Sequence, residues 1–152
     1  MNKLKIYLKS ILIPVIIGGI VGIIISKSID YNNLQKPFLA PPSAIFPIVW
    51  TILYILMGVS YGILKSKNLT DRQVNRIYYI QLAVNALWSI FFFSLKWRLF
   101  AFIWIIMLAI LVILMIIKFY NKNKIAGILQ IPYLLWIIFA SYLNIAVYIL
   151  NK

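Results

Sequence analysis

The sequence predicts an all-α membrane protein built as a bundle of five transmembrane helices. Of its 152 residues, 64% are hydrophobic and 11% are charged, and the mean hydropathy is +1.00. These values lie far outside the range of a soluble domain. The charged residues also leave uncharged runs at 10–26, 37–64, 77–95, 99–117 and 125–151. Each run is long enough to cross about 30 Å of hydrocarbon as a helix, which takes about 20 residues.

Five helices account for almost the whole chain, so we expect a single domain over residues 1–152. The predicted helices lie at about 6–26, 45–64, 74–95, 99–119 and 125–150. The connection at 27–44 is the longest, and it carries Pro37, Pro41 and Pro42. Proline lacks an amide donor and holds φ at about −65°, so this connection is expected to be stiff and extended. Such a connection is more typical of a lid than of a minimal turn.

Helix 1 is aliphatic apart from three glycines, Gly18, Gly19 and Gly22. Gly18 and Gly22 form a GxxxG pair, which lets a second backbone approach closely. Packing inside the bundle and contact with a second copy in a homodimer both explain such a pair.

Helix 2 begins with Pro47 in its first turn, a position that proline favours. At about 100° of rotation per residue, one stripe of this helix carries Phe46, Trp50, Tyr54, Met57 and Tyr61. Gly58 and Gly62 lie on the flank beside that stripe. The helix therefore presents an aromatic wall next to an edge that permits close packing.

Helix 3 is the most polar span, and Thr70 or Asp71 is expected to cap its start. One stripe of this helix carries Tyr78, Gln81, Asn85, Trp88 and Phe92. Because an unpaired amide is costly in hydrocarbon, Gln81 and Asn85 must face protein or a ligand. Hydrogen bonds between helices and contact with a ligand both remain open for these two side chains.

Helices 4 and 5 are expected to have different surroundings. Helix 4 is nearly uniform Ile, Leu, Val and Met, with Trp104 as its main interruption, so we expect it to face chiefly lipid. Helix 5 is expected to kink at Pro132, which removes a backbone hydrogen bond. Tyr133 lies on the flank of one stripe of helix 5. That stripe carries Pro132, Trp136, Ala140, Leu143, Asn144 and Val147.

The basic residues predict the orientation of the bundle. Ten of the 15 lie on the side of the N-terminus: Lys3, Lys5, Lys9, Lys65, Lys67, Arg72, Arg76, Lys118, Lys122 and Lys124. The other side holds Lys27, Lys36, Lys96, Arg98 and Lys152. The positive-inside rule therefore places the N-terminus in the cytoplasm and the C-terminus outside the cell membrane. Because these residues sit at helix ends and anchor to lipid headgroups, the net charge of +13 does not indicate a nucleic-acid partner.

The titratable residues exclude several classes of function. Cysteine and histidine are absent, and the only acidic residues, Asp30 and Asp71, lie in predicted loops. Metal sites, nucleophilic triads and carboxylate pairs are therefore not expected, and no cofactor is predicted. Proton-coupled transport is not expected either, because the uncharged runs that cross the membrane carry no ionisable group apart from tyrosine.

The predicted topology brings aromatic and amide residues together in the outer half of the membrane. The residues that converge there, beneath the proline-rich connection, are Trp50, Asn85, Trp88, Trp136 and Asn144. An aromatic pocket with a few amides suits a large, flat, mostly apolar ligand, such as a tetrapyrrole, a sterol or another planar aromatic compound. Packing of an ordinary core is the alternative explanation of the same stripes.

Four segments of the chain resemble one known family. They are QKP…PP in the 27–44 connection, FPIVWTILYILMG in helix 2, NALWSIFFF in helix 3 and PYLLWIIFASYLN in helix 5. In this order they resemble the TspO/MBR family of translocator proteins, and the resemblance covers nearly the full length. It implies a five-helix bundle, often dimeric, that binds porphyrins, cholesterol-like lipids and benzodiazepine-type ligands beneath its first loop.

The resemblance also implies which residues contact a ligand. By position, the family's pocket residues match Tyr31, Trp50, Asn85, Trp88, Trp136, Ala140 and Asn144. Tyr54 and Phe92 join this predicted site because they lie on the same helical stripes. Trp50 and Trp136 match the pair that is associated in bacterial members with light-dependent porphyrin breakdown.

The chain departs from the family pattern at three places. Leu39 stands where the loop usually has tryptophan, and Asp30 replaces an aromatic residue before Tyr31. Ser89-Ile90 replaces a segment that contains proline. The lid contacts and the ligand preference that the resemblance implies therefore do not carry over to this chain unchanged.

Three functions follow as hypotheses. The first is a sensor or transporter of tetrapyrroles in the cell membrane. The second is an enzyme that degrades porphyrin in light through oxidation of tryptophan or tyrosine by the photoexcited ligand, with Trp50 and Trp136 as the candidate residues. The third is a scaffold whose glycine faces assemble partners. Leu143, Tyr148 and Lys152 also satisfy a loose sterol-binding pattern, so a sterol-like ligand is an alternative to a tetrapyrrole.

Overall fold

The computed structural model describes residues 2–26 and 31–152, with the main chain alone at Tyr31. Within these ranges, five helical spans are long and apolar enough to cross a membrane. They consist of α1 (Lys3–Ile25), α2 (Ile45–Ser66), α3 (Arg72–Ser89), α4 (Arg98–Lys122), and α5 (Lys124–Ile128) followed by α6 (Ile131–Leu150). The predicted all-α bundle of five transmembrane helices is therefore confirmed.

Glycines bring α1 and α2 into close contact. A Cβ atom at Gly58 would lie under 3.0 Å from the backbone of Ile11. One at Gly18 would lie equally close to the ring of Tyr54. Gly22 differs, because a Cβ atom there would meet no atom within 4 Å. Packing inside the bundle is therefore confirmed for Gly18 and is not seen at Gly22, and contact with a second copy in a homodimer stays a prediction.

The start of α3 is capped as predicted, by Asp71 rather than Thr70. The Asp71 carboxylate accepts a hydrogen bond from the Val74 amide at 2.8 Å. The same carboxylate pairs with the Lys122 ammonium at the end of α4, also at 2.8 Å. The hydrogen bond from Lys122 holds the pKa of Asp71 below its usual value. This exposed pair joins the α2–α3 turn to α4.

The end of α3 widens into a π-helix over Ile90–Ser94. Its closing bond runs from the Leu95 amide to the Ile90 carbonyl at 2.9 Å. Lys96 follows with φ at 56°, a left-handed conformation that reverses the chain before α4. A π-helical turn holds more residues than an α-helical one, so it changes which side chains share a face.

The surroundings of α4 differ in part from the prediction of a lipid-facing helix. Much of its surface is exposed, yet one stripe is fully buried. This stripe consists of Ala101, Ile105, Leu108, Val112, Met115 and Phe119, each 0% exposed. Because α4 is apolar on every side, its sequence carries no periodic signal from which a buried stripe could be predicted.

The fifth span is two helices rather than the single one predicted at 125–150. α5 ends at Ile128, and α6 begins at Ile131 with Pro132 in its first turn. Proline fits a first turn because its missing amide would have no helical partner there. The irregularity that we expected as a kink at Pro132 is therefore a break at 129–130.

One end of the bundle, which we call the loop end, holds residues 32–44, the α3–α4 turn and the end of α6. Two hydrogen bonds show that the 32–44 connection lies beside the end of α6. The Gln35 amide donates to Asn151 Oδ1 at 3.0 Å, and Asn151 Nδ2 donates to the Gln35 carbonyl at 2.9 Å. The long connection is thereby attached to the C-terminal end of α6.

The loop end is expected to face the outside of the cell, because ten of the 15 basic residues belong to the opposite side. Alkaline phosphatase, which is active only outside the cytoplasm, should therefore be active when fused after Lys152. The same enzyme fused within the α2–α3 turn, after Asn68, should be inactive and serves as the matched control. Inactive enzyme at Lys152, in a chain that still folds, would contradict this orientation.

Candidate ligand-binding site

A cavity of about 360 Å³ lies among four helices at the loop end of the bundle. Its wall comes from the second half of α1, the first half of α2, the last turns of α3, and α6. Glycine, aliphatic and aromatic residues make up most of this wall. The cavity is thus a mostly apolar space within the membrane-spanning segments.

Trp50 is the centre of the aromatic part of the wall. Its ring stacks on that of Tyr54, with the centroids 5.6 Å apart. It meets Trp136 edge to face and Trp88 at a tilt, with both centroid distances at 6.4 Å. Phe92 extends the wall by stacking on Trp88 at 5.4 Å. Contacts of this kind are each worth about 0.5–1.5 kcal/mol beyond area burial, so they hold rings from three helices as one surface.

Asn144 is buried on the wall and has both ends of its amide engaged by protein. Its Oδ1 accepts a hydrogen bond from Trp88 Nε1 at 2.9 Å. Its Nδ2 donates to the Arg98 carbonyl at the start of α4, at 2.8 Å. Asn144 therefore fixes the indole of Trp88 and connects α6, α3 and α4, while its side chain borders the cavity.

Asn85 lies below the cavity and is not among the residues that line it, so its contact with a ligand stays a prediction. Its Oδ1 accepts from the Tyr54 hydroxyl at 2.8 Å, and its Nδ2 donates to the Tyr133 hydroxyl at 2.7 Å. The Tyr133 hydroxyl in turn donates to Gln81 Oε1 at 2.7 Å. Of the two explanations left open for these amides, the structure shows hydrogen bonding between helices. The network is buried and joins α2, α3 and α6 beneath the aromatic wall.

Tyr133→Phe is expected to lower the free energy of unfolding by about 1–3 kcal/mol, because it leaves the buried amides of Asn85 and Gln81 without their shared partner. Thermal unfolding in detergent measures the change. Tyr120→Phe is the matched control, since it deletes the same hydroxyl from a side chain that is 45% exposed. Equal unfolding temperatures for both variants would show that the Tyr133 hydroxyl is dispensable.

The structure brings most of the predicted site residues to the cavity wall. Those that line it are Trp50, Tyr54, Trp88, Phe92, Trp136, Ala140 and Asn144. The side chain of Tyr31 lies outside the described residues. Trp104 of α4 does not line the cavity, and it donates its Nε1 proton to the Val84 carbonyl at 2.8 Å. That a ligand contacts these residues stays a prediction.

The three residues of the sterol pattern do not share one surface. Leu143 is buried and lines the main cavity. Tyr148 and Lys152 line a separate hollow of about 210 Å³ near the C-terminus. A sterol-like ligand in the main cavity would therefore contact only the first residue of the pattern.

The proline-rich connection is attached to α6 rather than folded into the cavity. The Tyr142 hydroxyl donates to the Phe38 carbonyl at 2.7 Å, in addition to the bonds between Gln35 and Asn151. Leu39, which replaces the usual tryptophan, has φ at 72° and is 66% exposed. Among residues 32–44, whose side chains the structure describes, none lines the cavity, so the predicted roof is not seen in this part of the connection.

Sequence reasoning missed two parts of the wall. The first is α1, which contributes Gly18, Gly19 and Gly22 among others. Its glycines were the available signal, but they indicated packing rather than a cavity. The second is Phe93, which lines the cavity together with Phe92. Both lie in the π-helix, whose wider turn changes which side chains share a face.

The fold and the cavity together define a class: a multi-pass membrane protein with an aromatic, mostly apolar cavity among its helices. The model of the TspO/MBR family matches residues 10–150. The chain belongs to the TspO/MBR family.

Named relatives agree with this membership. The chain is 41% identical to the tryptophan-rich protein TspO of Archaeoglobus fulgidus over 99% of both chains. It is 34% identical to the tryptophan-rich sensory protein of Cereibacter sphaeroides, over 80% of this chain and 76% of that one. It is 31% identical to the human translocator protein, over 78% of this chain and 72% of the relative. The class of function is thus that of a TspO-type sensory or translocator membrane protein.

Proposed function

We propose that this protein binds flat, mostly apolar molecules of the tetrapyrrole class and acts as their membrane sensor or transporter. The observation that carries the proposal is the aromatic wall, in which Trp50, Trp88 and Trp136 from three helices border one apolar cavity. Ring faces of this size offer a planar ligand a large contact area at low cost in conformational entropy. The relatives named as sensory and translocator proteins support the same class of function.

The polar groups of the wall favour recognition by shape and stacking. The Tyr54 hydroxyl donates to Asn85, and the Thr51 hydroxyl donates to the Pro47 carbonyl at 2.7 Å. Trp136 Nε1 is the exception, since it is buried and has no hydrogen-bond partner among the described residues. A tetrapyrrole with an acceptor group at the edge of its flat apolar body would satisfy this donor.

The size of the cavity is consistent with a ligand of this kind. Its volume of about 360 Å³ lies within the range of about 300–1,000 Å³ that is typical of small-molecule sites. Titration of the detergent-solubilised protein with protoporphyrin, followed by quenching of tryptophan fluorescence, tests the proposal. Saturable quenching that a sterol does not displace would support a tetrapyrrole site, whereas linear quenching would contradict it.

Light-dependent breakdown of porphyrin is the second candidate function. The observation that favours it is the direct contact of Trp50 with Trp136, which places two oxidisable indoles beside the same space. Illumination of the saturated protein separates the two candidates. Loss of protoporphyrin that requires both light and Trp136 would favour the enzyme, and unchanged protoporphyrin would favour the sensor or transporter.

A further inference from the structure

The exposed residues of the cavity wall, among those that the structure describes, lie on two neighbouring helices. Most of the lining residues are buried or partly buried, and four are exposed: Gly19, Gly22, Pro47 and Thr51. Two of these lie on α1 and two on α2. Because a lining residue that is also exposed marks where a cavity opens, the mouth lies between α1 and α2.

The packing of α1 against α2 explains why the opening is there. The two helices touch closely at Gly58, where a Cβ atom would clash with the backbone of Ile11. Among the glycines of α1, Gly18 also makes a tight contact, with the ring of Tyr54. Beyond it, a Cβ atom at Gly19 or Gly22 would meet nothing within 4 Å. The helices therefore separate in the half of the bundle nearest the loop end and leave a gap between them.

The surface around the mouth is apolar on both helices. Ile20 and Ile23 on α1 are 53% and 75% exposed, and Ile48 and Ile52 on α2 are 57% and 52% exposed. All four lie within membrane spans. The one hydroxyl at the mouth, that of Thr51, is already bonded to a backbone carbonyl. This opening is therefore suited to contact with lipid chains rather than with water.

We propose that ligands enter and leave the cavity sideways, from the hydrocarbon of the bilayer, through the mouth between α1 and α2. The inference rests on the proposed function and specifies its substrates further: they are molecules that dissolve in the membrane before they bind. Gly19 and Gly22 set the width of the mouth, since any larger side chain there would extend into the opening. The mostly apolar wall suits such ligands, because it has few groups to replace the hydrogen bonds that a ligand arriving from water would lose.

Gly22→Phe tests the route without disturbing the packing, because the space at Gly22 is open. Wild type and variant are reconstituted in phosphatidylcholine vesicles and mixed with protoporphyrin-loaded vesicles, and tryptophan quenching is followed in time. We expect association to slow by roughly tenfold and dissociation to slow as well, because a ring at the mouth obstructs exit as much as entry, whereas lost contact with the wall alone would speed dissociation. Thr51→Phe narrows the same mouth from α2 and should slow both rates as well.

Leu12→Phe is the matched control, because it adds the same ring to an exposed position of α1 that lies away from the mouth and does not line the cavity. It should leave both rates unchanged. Wild-type rates in Gly22→Phe and Thr51→Phe would overturn the lateral route, as would a loss of affinity with unchanged association. Rates that depend on the protein-to-lipid ratio would overturn it too, since a second copy would then cover the mouth. Absence of saturable quenching in wild type would instead overturn the proposed function on which the route rests.

Discussion

Trp136→Ala is expected to weaken protoporphyrin binding by roughly tenfold or more. Trp136 borders the cavity, makes edge contacts with Trp50 and Phe46, and carries the one buried donor on the wall without a partner among the described residues. Stacking is worth about 0.5–1.5 kcal/mol beyond area burial, and a factor of ten in affinity is about 1.4 kcal/mol. The loss of the ring and of its donor together therefore reaches this factor. Protoporphyrin titration followed by tryptophan quenching measures it.

Two further variants make this test specific. Trp104→Ala removes an indole that packs on Phe91 and bonds to Val84 away from the cavity, so its affinity should stay near that of wild type. Ala140→Phe fills the space one turn beyond Trp136 without adding charge or removing a hydrogen bond, and it should obstruct the site. If wild type, Trp136→Ala and Ala140→Phe all bind equally, the aromatic wall is packing and the ligand lies elsewhere.

Gly58→Leu is expected to have the largest effect on stability. A Cβ atom at this position would overlap the backbone of Ile11, which cannot move aside as a flexible side chain can. Overpacking typically costs about 1–3 kcal/mol and occasionally more, and contact with backbone favours the upper end. At about 2–4 °C per kcal/mol for a chain of this size, the thermal midpoint in detergent should fall by roughly 6–12 °C.

Gly22→Leu is the matched control for this prediction, because it makes the same change in a neighbouring helix where the space is open. Its thermal midpoint should stay within roughly 2 °C of wild type, since surface substitutions usually change stability by about 0.5 kcal/mol or less. The GxxxG pattern alone predicts destabilisation at both glycines. Equal midpoints for the two variants would show that the close approach of α1 and α2 at Gly58 is incidental.

The spans and the aromatic stripes could be predicted from the sequence, since both depend on neighbours along the chain. A span is set by the length of an uncharged run, which bilayer thickness constrains directly. The stripe of Trp50 and Tyr54 on α2, and that of Trp136 and Ala140 on α6, follow from the helical period alone. For the same reason the cap at Asp71 was predictable, because its partner, Val74, lies three residues away.

What the sequence determined by itself was therefore the class of protein, the number of spans and the helical face on which each ring lies. Only the tertiary structure decided that Asn144 borders the cavity while Asn85 bonds to Tyr54 and Tyr133 beneath it. It also decided that Gly58 is packed tightly and Gly22 is open. Each of these outcomes depends on residues of another helix, and a side chain's partner across the bundle leaves no trace in its own local pattern.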